Sequence, residues 1–202
     1  MNACEAGHLE AINILIDFEP DQLLYVCQNG SPLHAAISGR QPLETVKLLI
    51  SREAPTNKPD LSNVSPLYLA VFTGHPEVVQ ALLDAGAKPE IDNYSDEPLL
   101  HVCAERGFVQ IAQALLKKEP LLVEGLDTKK NLALHVASEW DQLSVVRLIC
   151  DVGDGASLIK VKNADGQTCV DIAYEENTQE VYPYLCHRYN IKLSWSFWCS
   201  LF

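Results

Sequence analysis

The apolar residues of this chain recur at intervals of three and four, the period of a helix that buries one face. Val78, Val79, Leu82 and Leu83 form one such stripe, which a single helical hairpin leaves uncovered, so neighbouring hairpins must stack to bury it. Shifting the chain against itself shows that the pattern repeats. Pro32-Leu33-His34-Ala35-Ala36, Pro66-Leu67-Tyr68-Leu69-Ala70, Pro98-Leu99-Leu100-His101-Val102, Ala133-Leu134-His135-Val136-Ala137 and Cys169-Val170-Asp171-Ile172-Ala173 are variants of one motif. Positions 34, 68, 101, 135 and 171 are separated by 34, 33, 34 and 36 residues. A second motif follows in each copy: Gly39 with 43–49, Gly74 with 75–79, Gly107 with 108–112, then 144–148, then Glu180-Val181. Residues 1–16 read as a further copy that lacks its front and starts inside a helix. Each copy predicts helix, tight turn, helix, with essentially no strands.

The start and stop signals agree with that reading. In Ser31-Pro32 and Ser65-Pro66 the hydroxyl is expected to take a free backbone N–H, and proline at the first helical position forfeits no hydrogen bond. Gly39, Gly74 and Gly107 stand where the first helix must stop in a left-handed residue, which glycine adopts without steric penalty.

With period and caps in register, the chain resembles the ankyrin-repeat family, whose T-P-L-H-x-A signature appears as Ser31-Pro32-Leu33-His34-Ala35-Ala36 and whose period is about 33 residues. The resemblance implies an all-α fold, an ankyrin-repeat solenoid of about five full helix-turn-helix units plus a truncated N-terminal unit. It divides an ankyrin domain, 1–190, into units near 1–28, 29–60, 61–92, 93–126, 127–162 and 163–190, followed by an apolar C-terminal tail, 191–202. Leu132-Ala133 departs from Thr-Pro, Trp140-Asp141 from the usual polar-Gly pair, and Asp171 from histidine; one extra residue lies between Gly39 and Leu43. In the family the repeated histidine ties helix to loop, which implies structural roles for His34, His101 and His135. His8 and His75 belong to Gly-His turns at the surface, and His187 stands alone. Asn57 falls where related proteins can be hydroxylated by an asparaginyl oxygenase, with stabilisation of a turn as the simpler role.

Composition narrows the partner. Fifteen Lys and Arg against 27 Asp and Glu give a formal net charge of −12, which repels phosphate backbones, argues against nucleic acid and suits a basic or neutral protein. The seven cysteines are scattered and never form a CxxC pair, so they read as reduced, mostly buried thiols rather than a disulfide framework or zinc site. No basic stretch followed by an apolar core opens the chain, and no run reaches the ~18 apolar residues of a membrane span. A cytoplasmic or nuclear location is the expectation.

Catalysis has no visible residues. No histidine pairs with a cysteine and a carboxylate at nucleophile spacing, and no Gly-rich phosphate loop or HExxH occurs, so neither an enzyme nor a cofactor is expected. Asp171, Glu175, Glu176 and Glu180 lack the alternating ligands and glycine turn of a calcium loop and read as a solvated acidic face.

Binding has more support. The resemblance implies that ligands meet the hairpin tips and the exposed face of the first helices, which here singles out Phe72, Tyr94, Asp96, Glu105, Arg106, Lys129, Glu139, Trp140, Glu175 and Glu176. Phe72, Tyr94 and Trp140 are aromatic where the repeat asks for nothing apolar, and such rings are enriched in binding hot spots. They are expected on units three, four and five along one groove that the glutamates make negative, with Lys129 and Lys130 interrupting the pattern. Trp140 packing over a loosened turn, and Tyr94 stacking on a neighbouring tip, are the structural alternatives. The expected function is a non-catalytic interaction module, adaptor or scaffold, recognising a protein through a basic extended or helical segment. The alternatives are the ankyrin region of a larger enzyme or channel (kinase, GTPase, ubiquitin ligase) and a pathogen ankyrin effector. The tail, with Trp195, Phe197, Trp198, Leu201 and Phe202, is expected to fold back, dock on a partner copy or lead into a further domain.

Overall fold

A computed structural model describes residues 2–24, 30–89 and 97–192, so the tail from Leu193 onward lies outside the described residues. Among those, thirteen α-helices and two 3-10 turns account for the regular structure, and the pairing of Leu126 with Leu132 is a single isolated bridge. The chain divides into two compact units, 1–99 and 100–202. The first contains α1 (Asn2–Ala6), α2 (Leu9–Phe18), α3 (Pro32–Ile37), α4 (Pro42–Ser51), α5 (Pro66–Thr73) and α6 (Pro76–Asp84). There α1 packs on α3 and α3 on α5, while α2 packs on α4 and α4 on α6. The second contains all but the first residue of α7 (Leu99–Arg106), then α8 (Val109–Lys118), α9 (Ala133–Glu139), α10 (Leu143–Val152), α11 (Gly155–Leu158), α12 (Cys169–Glu175) and α13 (Val181–Tyr189). Here α9 packs on α12, α8 on α10 and α10 on α13. First helices thus stack on first helices and second on second. Repeats one to six below are the pairs α1/α2, α3/α4, α5/α6, α7/α8, α9/α10 and α12/α13.

The stacking buries the aliphatic stripes. Val78, Val79, Leu82 and Leu83 of α6 are buried, as are Val145, Val146 and Ile149 of α10. At roughly 1.5–3 kcal/mol for each fully buried aliphatic side chain, these layers are the main favourable term in folding.

Histidine does more at the helix starts than the caps alone suggested. Ser65 behaves as expected, its Oγ accepting the Tyr68 N–H at 3.1 Å. Ser31 does not: its hydroxyl lies 2.8 Å from His34 Nδ1, and its backbone N–H donates to the same nitrogen at 3.2 Å. With Nδ1 accepting, the proton resides on Nε2, which donates to the Val64 carbonyl of the next hairpin tip at 2.8 Å. The ring therefore caps its own helix and reaches the following repeat. His135 repeats both bonds, from the Leu132 N–H at 3.1 Å and to the Val161 carbonyl at 3.1 Å, which explains how a helix starting at Leu132-Ala133 manages without a polar cap. His101 reaches the Asn131 carbonyl at 2.8 Å, but its buried Nδ1 has no hydrogen-bond partner. The residue three positions earlier is Pro98, which has no N–H to give. Asp171 keeps only the local half, its Oδ2 accepting from the Thr168 N–H and hydroxyl, each at 2.8 Å.

The helix stops bring one correction. Gly74 and Gly107 are left-handed, with φ of 74° and 70°, but Gly39 is not among the positive-φ residues. It is needed for another reason: a Cβ there would lie 2.5 Å from the Glu5 carbonyl oxygen of the preceding repeat. The extra residue before Leu43 lets the chain pass that carbonyl, to which the Arg40 N–H donates at 3.1 Å. Three short elements were not predicted: α11 and the 3-10 turns at Pro20–Leu24 and Pro120–Glu124, each of which follows a Glu-Pro step and buries one aliphatic, Leu23 or Val123. The described cysteines 4, 103, 150, 169 and 186 are free and buried, and burial pushes the Cys169 thiol up to about 12.

Burial lowers His34, His101 and His135 below the ordinary value of 6.5, overriding the carbonyl bonds that favour the charged ring. Below 6.5 the unfolded chain therefore binds protons that the folded chain refuses, so these rings contribute full stability above 6.5 and lose it as pH falls through their folded values. Thermal unfolding by circular dichroism should show a midpoint that is flat above about pH 7 and falls steadily toward about pH 5; a flat midpoint over that range would mean the rings protonate in place.

Candidate protein-binding surface

The surface that carries the candidate residues is assembled from tips and helix ends. The tips share one device. Asp60 Oδ1 accepts the N–H groups of Ser62 and Val64 at 2.8 and 2.9 Å, Asp127 Oδ1 those of Lys129 and Asn131 at 2.8 and 2.7 Å, and Asn163 Oδ1 those of Asp165 and Gln167 at 3.1 and 2.9 Å. Three residues on, Asn63, Lys130 and Gly166 take positive φ. A short side chain that satisfies two backbone donors fixes each tip without help from the core. In the second unit the tips of repeats five and six are joined, the Ala164 N–H donating to the Lys129 carbonyl at 2.9 Å and Asn163 Nδ2 to Asn131 Oδ1 at 3.0 Å. Lys129 itself points its charge into solvent.

Seven candidates belong to the second unit, and six of them end its first helices. Glu105 and Arg106 close α7, Glu139 closes α9 with Trp140 as its C-cap, and Glu175 closes α12 with Glu176 as its C-cap. Glu105 is half-buried; Arg106, Glu139, Glu175 and Glu176 are exposed. Glu175 accepts from Gln167 Nε2 at 2.6 Å. Trp140 is 54% exposed. Phe72, in the first unit, is 44% exposed and stacks on Tyr68 one helical turn earlier, centroids 6.1 Å apart. Tyr94 and Asp96 lie outside the described residues. Among the described residues no three His, Cys, Asp or Glu side chains form a metal-ligand group, and Asp171 is occupied by its helix cap.

Sequence reading missed Asp141. It adopts φ 51°, the left-handed conformation that glycine serves in other repeats. Its carboxylate reaches the next repeat: Oδ2 accepts the Gln179 N–H at 3.0 Å, Oδ1 the Val181 N–H at 2.9 Å, and the Glu180 N–H lies 3.2 Å from Oδ1. These are the free donors at the start of α13, where an anion is also favoured by the helix dipole. Gln142 makes the matching contact backward, Nε2 to the Glu105 carbonyl at 3.4 Å. Asn57 likewise bridges repeats, donating to the Gly86 carbonyl at 3.0 Å and accepting the Lys88 N–H at 2.9 Å, which is the turn-stabilising role.

Stacked helix pairs, three of them tied by a buried histidine ring to the next hairpin tip, define a helical-repeat protein. The family model described as ankyrin repeats (3 copies) matches residues 1–93 and 100–194, and the chain belongs to the ankyrin-repeat family, a protein-protein interaction module. It is 26% identical over 193 residues to the probable 26S proteasome regulatory subunit p28 of Saccharomyces cerevisiae, covering 93% of this chain and 83% of that protein. It is 31% identical over 182 residues to the transient receptor potential cation channel subfamily A member 1 homolog of Caenorhabditis elegans, where it covers 87% of this chain but spans only 14% of the channel. Among solved structures, a chain from the complex of the Bd0816 predatory endopeptidase of Bdellovibrio bacteriovorus with immunity protein Bd3460 superposes with a TM-score of 0.80 over 93% of this chain and 96% of that one. At 24% identity this likeness speaks for the fold alone. No helix among the described residues is long and apolar enough to cross a membrane.

Asp141 gives a test in which two rules oppose each other. Glycine would relieve the left-handed backbone by roughly 1 kcal/mol, whereas loss of the cap costs about 0.5–2 kcal/mol and unpairs three donors. Asp141→Gly is therefore expected to lower the denaturation midpoint, with Asp141→Asn in between; a more stable glycine variant would show that the latch contributes little.

Proposed function

We propose that the chain is a non-catalytic adaptor whose second unit recognises a basic, extended or helical segment of a partner protein along the ends of its first helices. The supporting observation is the placement of glutamates at the unfavourable end of three helices, Glu105 on α7, Glu139 on α9 and Glu175 on α12, with Glu176 beside the last. A helix C-terminus already carries partial negative charge, and an exposed carboxylate there weakens the helix by about 0.3–1 kcal/mol. A cationic segment laid across these ends offsets that cost, and Trp140 beside Glu139 offers a ring face to guanidinium or ammonium. Arg106 and Lys129 break the negative row and limit which spacing of positive charges fits. Phe72, in the first unit, is a further candidate contact for a partner. A second reading is that these repeats form the recognition region of a larger channel or enzyme, favoured by the small share of the nematode channel that the chain spans.

Trp140→Ala combined with Phe72→Ala should leave the melting curve nearly unchanged and abolish capture of partner proteins from lysate. Glu105→Gln with Glu139→Gln should raise the melting temperature slightly and weaken capture most at low salt, where charge attraction is least screened. Unfolding of the aromatic pair would assign those rings to the core, and undiminished capture by the glutamine pair would remove charge from the recognition.

A further inference from the structure

Repeat one presents an apolar face that the corresponding residues of later repeats do not expose. Leu15 of α2 aligns with Leu49, Leu82, Leu115 and Ile149, at successive steps of 34, 33, 33 and 34 residues. Those four are at most 1% exposed, whereas Leu15 is 56% exposed. The direction of the face follows from the ion pair beside it. Asn13 and Asp17 both bond Arg52 at the end of α4, so their side of α2 faces repeat two. Leu15, two residues from each, projects about 160° around the helix from both, away from repeat two.

Phe18 sharpens the picture. It aligns with Arg52 and Arg188, which reach back to Asp17 and Asp151 of the repeat before their own. In repeat one a phenylalanine, 87% exposed, occupies the position from which repeats two and six grip the preceding layer. With Ile14, also exposed, it forms a cluster that nothing among the described residues covers.

Charge selects the occupant. Besides Asp17, which is paired with Arg52, residues 2–24 contain Glu5, Glu10, Glu19 and Asp21 and no Lys or Arg. A second copy of this face would bring like charges together around the apolar contact, and an anionic lipid surface would be repelled. We infer that this end face is a docking site for a basic amphipathic helix of a partner protein, lying on α2 as α2 lies on α4. Its apolar stripe would cover Ile14, Leu15 and Phe18, and its flanking Lys or Arg would meet the acidic rim.

The site is independent of the row of glutamates on α7, α9 and α12, and one titration separates the two. The probe is a fluorescent Leu/Lys peptide of about 18 residues with helical periodicity, compared with a scrambled peptide of the same composition. Binding to the full chain should slow hydrogen exchange of the α2 amides. Phe18→Ser and Leu15→Gln should each weaken that α2 protection, raising the peptide concentration it requires by about tenfold or more, and Trp140→Ala should leave the α2 protection unchanged. Because the Phe18 ring is in solvent, Phe18→Ser should melt like the parent chain, which keeps the test valid if Leu15→Gln perturbs folding. Equal binding of the scrambled peptide, affinity indifferent to Phe18→Ser, or self-association of the parent chain that Phe18→Ser abolishes would each overturn the inference. So would α2 amides already protected in the free chain and unchanged by the peptide, the mark of a face covered from within.

Discussion

The hydrogen bond from a buried imidazole to the next hairpin tip is the constraint on which this architecture rests. A helix pair of this size buries its stripe only against a neighbour, and stacked aliphatic surfaces by themselves would tolerate sliding. The Nε2–H of His34, His101 and His135 meets one carbonyl of the following tip and so sets the register of repeats two, four and five on the tip that follows each. It needs a neutral ring with its proton on the outer nitrogen, which the cap bonds to Nδ1 of His34 and His135 select and burial maintains. Other groups reinforce the same junctions: the Asp141 carboxylate at the start of α13 adds to the His135 bond, and the Asn57 amide at the loop of Gly86 and Lys88 adds to that of His34.

Stability and recognition make different demands on the same helices. The inner faces obey packing rules closely, and the starts of α3, α5, α9 and α12 are capped by Ser, His, Thr or Asp. The ends of α9 and α12 break the electrostatic rule that favours cations there, and α7 sets Glu105 beside its terminal Arg106. That localised conflict, rather than overall acidity, is what the proposed recognition edge rests on.

Much of the fold was legible because its signals are local and repeated. Period, helix starts and the aliphatic stripes need only a few residues to be seen. Gly39 was misjudged because its requirement lies in the approach of the Glu5 carbonyl, contributed by another repeat, while the turn itself has no left-handed residue there. Ser31 looked like an ordinary cap because its real partner, the His34 ring, seemed already assigned to a loop. Asp141 appeared to be a defect at a glycine position because its three partners lie 38 to 40 residues later. The exposed face of α2 escaped notice for the converse reason: Leu15 has the same sequence character as its buried counterparts, and only a measured exposure distinguishes them. Six of the candidate contact residues stand at the ends of first helices, and the two units hold Phe72 and Trp140 separately.

The buried thiols have a consequence for how such an array comes apart. Cys4, Cys103, Cys150 and the pair Cys169 and Cys186 lie in repeats one, four, five and six, shielded from solvent and, at Cys169, held far from the reactive thiolate. A thiol reagent can reach them only when their layer opens. Stacks of this kind open in contiguous groups of repeats, the ends before the middle. The order in which these sulfurs become reactive would therefore record the direction in which the chain unzips, without any label having been introduced.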